Sequence, residues 1–180
     1  MSNENLKLRI ELVPRTAWVT SLSKQLTKSR WRKLREIVLE GKGTRCQICG
    51  DDEGPATCHE EWEFHNETGE QILVGFSPIC RKCHFVVHFG STQLLARQHG
   101  WNLEDFIDHF CKVNQVDRAK FQAHKKEAFR IYRERSEREW RIEYGEYADL
   151  LAAMGLETGG DPRKSPWQPK VRIKRPKKTD

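Results

Sequence analysis

Cys46-Gln-Ile-Cys49 and Cys80-Arg-Lys-Cys83 are two Cys-x2-Cys knuckles with 30 residues between them. Two such turns bring four thiolates into a tetrahedral zinc site, and four protein ligands leave no open position for catalysis. Soft thiolates select zinc over magnesium or calcium. The spacing therefore predicts a structural Zn2+ at Cys46, Cys49, Cys80 and Cys83. His84 and His88 follow the second knuckle four residues apart, so on a helix they share one face. That is a spacing for metal ligands. Cys58-His59-Glu60 lies between the knuckles. With the two histidines it can build a second metal site, open to solvent and substrate.

The elements around these residues follow from pattern. Leu6, Leu8, Ile10 and Leu12 alternate and predict a strand over 5–13, stopped by Pro14. Ser29 is the expected N-cap of a helix to about residue 40, with Trp31, Leu34 and Val38 on one stripe. Residues 56–65 and 71–76 read as a hairpin turning at 66–70, with Pro78 breaking the return strand. A short helix fits 81–89, ended by Gly90. Two further helices are expected at 91–99 and 103–113, and a long one at 116–142 whose face carries Phe129, Tyr132, Ser136 and Trp140. Cys111 reads as a small buried residue. His65, His99, His109 and His124 show no partner pattern and go to surface or packing.

Composition bounds the remainder. Of 180 residues, 37% are apolar and 32% charged, enough for one core with much of the chain at the surface. No run of about 18 apolar residues is present, and the polar start lacks the apolar stretch of a secretory signal. No membrane association and a cytoplasmic location are therefore expected, with the six cysteines serving metal before disulfides. The net charge of +6 is unevenly spread: +7 over 1–45, −6 over 46–90, −1 over 91–157 and +6 over 158–180. Acid around Cys/His suits a bound cation. Basic flanks suit a polyanion, namely DNA, with RNA as the alternative. The candidate contacts are Arg30, Arg32, Lys33 and Arg35 on the early helix, and Arg172, Lys174, Arg175, Lys177 and Lys178 in a tail read as disordered. The competing readings are a solvated helix face and a solubilising tail.

The set Cys46–Cys49, Cys58-His59-Glu60 and Cys80-Arg-Lys-Cys83-His84-x3-His88 resembles the HNH family of ββα-metal nucleases. The wider chain resembles small bacterial and phage HNH-like proteins through Leu12-Val13-Pro14, Trp31-x2-Leu34-Arg35, the run Cys58–Glu63 and Arg135-Ser136-x3-Trp140. The resemblance implies a metal-dependent DNA endonuclease that nicks. His59 would be the general base, and Glu60 would hydrogen-bond a ligand or the attacking water. Cys58, His84 and His88 would hold a second divalent ion (Mg2+, Mn2+, Ni2+ or Zn2+). Cys58 stands where members commonly carry Asp or His, and Gly75–Cys80 lacks the middle Asn of the family name. Two other readings stay open: a non-catalytic zinc module that binds nucleic acid, and an adaptor engaging a protein partner through the helices of 91–157.

The expected fold class is α+β. A basic strand-and-helix segment (1–43) precedes a zinc-stapled ββα-metal unit (44–90), a helical segment (91–157) and the basic tail (158–180).

Overall fold

In a computed structural model that describes residues 6–52, 54 and 56–156, the alternating N-terminal segment bends at Lys7 and Leu8, forms no strand and joins no sheet. Leu6, Leu8 and Ile10 are buried on alternate positions, as the pattern requires. Their backbone is satisfied by side chains instead of a neighbouring strand. Asn114 accepts from Leu8 N (3.0 Å) and donates to Leu8 O (2.8 Å), and His124 Nε2 accepts from Ile10 N (2.9 Å). Buried backbone groups need partners, but those partners need not be strands. The five expected contacts at Arg172, Lys174, Arg175, Lys177 and Lys178, and the disorder expected of 158–180, lie outside the described residues.

The elements follow in chain order. A 3-10 turn (Arg15–Thr20) leads into α1 (Leu22–Gln25) and α2 (Lys28–Lys42). The hairpin is β1 (Thr57–His65) and β2 (Glu70–Ile79). Helices α3 (Arg81–Val87), α4 (Phe89–His99), α5 (Glu104–Asn114) and α6 (Arg118–Arg135) come next. Strand β3 (Arg141–Glu143), a 3-10 turn (Gly145–Tyr147) and α7 (Ala148–Ala153) complete the described chain. The fold is mixed α+β.

Helix α2 is capped by Thr27, whose side chain accepts from Arg30 N, and not by the expected Ser29. It runs through Gly41 and stops at Gly43, whose φ of 77° suits a residue without a Cβ. Leu34 and Val38 are buried on the expected stripe. The hairpin is antiparallel, with Cys58 opposite Pro78 and His59 opposite Ser77. Pro78 does not break β2. Proline only removes a donor, and its carbonyl still accepts from Gln47 N at 2.9 Å. A bulge leaves Val74 out of register: Glu61 pairs with Gly75 and Trp62 with Leu73.

Two helical expectations are corrected. Gly90 does not end a helix; the break falls at His88, and α4 passes through Gly90. The stretch 116–142 is not one helix. Ser136 closes α6, and β3 then pairs parallel to β2 through Glu70↔Arg141, Gln71↔Ile142 and Ile72↔Glu143. The buried face of α6 is Phe121, His124 and Ala128, not the Phe129–Tyr132 face. Trp140 is buried (4% exposed) as part of the return to the sheet, with its indole N–H donating to Arg135 O.

Two apolar cores result, and neither coincides with one stretch of sequence. One joins Leu6, Leu8 and Ile10 to Ile79, Val86, Phe89, Phe110 and Phe121. The other joins Leu22, Leu34 and Val38 to Leu73, Phe76, Ile142 and Leu151.

Candidate metal centres

The four knuckle cysteines converge. Their sulfurs lie within 4.8 Å of one another, and Cys49 Sγ is 3.7 Å from Cys80 Sγ. A tetrahedral zinc with bonds of about 2.3 Å sets its sulfurs about 3.8 Å apart, so the spacing fits zinc. Each knuckle turns a backbone N–H onto its first sulfur: Cys49 N to Cys46 Sγ and Cys83 N to Cys80 Sγ, both at 3.5 Å. Four thiolates cannot sit side by side without a cation between them. The hydrogen bond from Cys83 draws Cys46 down to about 4, while the same bond and burial push Cys83 far upward. Burial pushes Cys49 up to about 11. These residues could hold a structural metal ion such as zinc, which would unite the 46–49 loop with the start of α3.

The second knuckle is also the first turn of α3, since Cys80 is its N-cap. His84 and His88 therefore leave the same turn structure that the sulfurs hold. His59 projects from β1 to meet them. The ring centroids are 5.9 Å (His59–His84), 5.1 Å (His59–His88) and 4.7 Å (His84–His88) apart. One ligand nitrogen from each lies within 4.8 Å of the others, so the three could hold a metal ion. Burial pushes His84 down to about 4 and His88 to about 3, with the neighbouring imidazoles adding to the shift. Both are therefore neutral near pH 7, the form in which imidazole binds a metal.

The expected site is thus assembled in part. His59, His84 and His88 come together; Cys58 and Glu60 do not join them. Successive strand residues face opposite sides. Cys58 is 3% exposed and packs in the core with Leu22, Leu34 and Leu73, where burial pushes its thiol up to about 11. Glu60 accepts from Leu22 N (3.2 Å), Ser23 N (3.4 Å) and the Trp62 indole (3.0 Å). It holds the start of α1, and burial raises its carboxyl above the usual range. His59 takes the place that Cys58 was expected to fill.

Two residues at these centres carry no spacing signal. Glu11 Oε2 lies 3.8 Å from His59 Nε2, and its side chain is 56% exposed. Its backbone N–H donates to Val87 O, one residue before His88, which ties its segment to the end of α3. His109, on α5, sets Nε2 3.1 Å from Cys83 Sγ. Glu11 falls between the apolar positions Ile10 and Leu12, and nothing in that alternation says what it faces.

Of the early basic residues, Arg30, Arg32 and Lys33 are exposed, with Arg32 4.0 Å from Glu36. Arg35 is half-buried and directs a guanidinium N–H at Ala56 O (3.4 Å). No described helix is long and apolar enough to cross a membrane. No family model matches the chain, and neither does any curated protein or solved structure.

Proposed function

We propose that the chain is a metal-dependent DNA endonuclease of the HNH kind, hydrolysing a phosphodiester bond at the His59–His84–His88 centre. The observation that carries this reading is the convergence of the three imidazoles beside a four-sulfur site that fixes the helix bearing two of them. Three imidazole ligands suit zinc, nickel or another transition ion better than magnesium. A divalent ion held there would neutralise phosphate charge and acidify water. His59 serves as a ligand in this reading, which leaves the proton to another group. Glu11 is the carboxylate at hand, partly exposed to solvent and 3.8 Å from His59. It takes the proton of the attacking water while the water oxygen bonds to phosphorus and the leaving oxygen departs.

Plasmid nicking in zinc, nickel, manganese and magnesium tests this. Metal-dependent nicks that vanish in His84→Ala and His88→Ala, with the four-sulfur zinc retained, are the expected result. No nicking with any metal would reject hydrolysis and leave the binding-module reading.

A further inference from the structure

Beyond the two metal centres, a recess of about 270 Å³ is lined by Asn66 at the hairpin tip and by Arg130, Glu134, Arg135 and Arg138 around the end of α6. Its three guanidinium groups are not equivalent. Arg130 is taken up by Glu127 and Glu134 on its own helix. Arg135 and Arg138 form no ion pair with any described carboxylate. Each is instead laid on an aromatic ring: Arg135 4.7 Å over Phe64 and Arg138 5.8 Å over Trp140. A guanidinium over an aromatic ring is attracted to the ring face without using up its N–H donors. Arg138 spends one of them on Asn66 O. Arg135 spends none on the described protein, and its Nε is buried with no hydrogen-bond partner.

Burial works against the charge of Arg135, and Glu11, the carboxylate beside His59, is the acid whose field supports it.

We propose that this recess binds a tetrahedral phosphate oxyanion through Arg135 and Arg138. Planar guanidinium forks match two phosphate oxygens at once. The inference deepens the proposed function, since a backbone phosphate held here would fix a strand relative to the imidazole centre. It does not require that hydrolysis occur.

The test is calorimetric titration of the full chain at low salt with inorganic phosphate and, separately, with a short single-stranded thymidine oligonucleotide. Arg138→Gln and Arg135→Gln are compared with Arg118→Gln, which changes an exposed arginine paired with Glu104 and Asp108. Binding weakened about tenfold by either recess variant, and left alone by Arg118→Gln, is expected. For the oligonucleotide the slope of log K against log salt should also shrink by about 0.7 per arginine removed. Tighter binding of the oligonucleotide than of phosphate assigns the site to a nucleic-acid backbone; no preference assigns it to free phosphate. Should Arg135→Gln fail to fold, Arg138→Gln, at an exposed position, carries the test. Equal affinities across all variants, or no binding of either probe, would overturn the proposal. His84→Ala should retain oligonucleotide binding while losing any nicking, so failure of the hydrolytic reading and failure of the recess are told apart.

Discussion

Oε2 of Glu11 lies 3.8 Å from Nε2 of His59, joining the N-terminal segment to the first strand of the hairpin. The contact holds because the backbone of Glu11 is tied to Val87, at the end of the helix that carries His84. Glu11→Gln keeps the shape of the side chain and removes its basicity. Nicking should fall by about a hundredfold or more, with metal content unchanged. Full activity in this variant would take Glu11 out of the chemistry.

The four sulfurs should carry one tightly bound zinc. Structural zinc in small domains contributes about 10 kcal/mol or more of apparent binding energy that is also folding energy. Cys49→Ser or Cys83→Ser should therefore lose the zinc and much of the near-UV circular dichroism, and a strong chelator should do the same to the native chain. Zinc retained at full stoichiometry in Cys83→Ser would place the metal elsewhere.

Glu60 separates the structural reading from the sequence expectation. Its carboxylate takes two backbone N–H groups at α1 and the Trp62 indole. Glu60→Ala should cost about 1–3 kcal/mol in urea unfolding, while the folded variant nicks at the native rate. Unchanged stability with lost nicking would return Glu60 to the active site.

His124 should make the fold sensitive to acid. Its ring is 5% exposed and accepts from Ile10 N, and burial holds its pKa below the ordinary value. An unfolded histidine takes up a proton near pH 6.5. Below that value the unfolded state binds more protons than the folded one, so stability falls with pH. The contribution is complete above about pH 6.5 and is lost as pH drops through the depressed folded value. His124→Gln should lose less stability than the native chain between about pH 7.5 and about pH 5. Parallel losses would show that another group titrates.

Much of this was legible in the sequence, for identifiable reasons. Cysteine spacing fixes a local turn whatever surrounds it, so Cys46–Cys49 and Cys80–Cys83 announced their convergence. The i, i+4 spacing of His84 and His88 did the same for their shared face. Alternation told which of residues 6–10 are buried, but burial is not pairing, and side chains of Asn114 and His124 satisfied a backbone expected to sit in a sheet. The helical period through Trp140 overran the real end of α6 because aromatic residues at helical spacing serve a strand return equally well. Glu11 and His109 were out of reach, since each gains its meaning from a partner brought near only by the tertiary fold. Cys58 and Glu60 flank His59 in the run that the sequence places at the second site, but alternation along β1 turns both to the opposite face.

The parallel pairing of β3 with β2 bears on how the molecule is made. On the ribosome, Glu70–Ile72 emerge long before Arg141–Glu143, the residues that cover their open edge. Until then the hairpin offers unpaired amide and carbonyl groups, a template for any passing strand. Closing so wide a loop carries an entropic cost that late contacts such as those of Ile142 and Leu151 offset. Chains cut short before residue 141 are thus born with a sticky edge. Their expected fate is aggregation or chaperone capture, even with both cysteine knuckles complete.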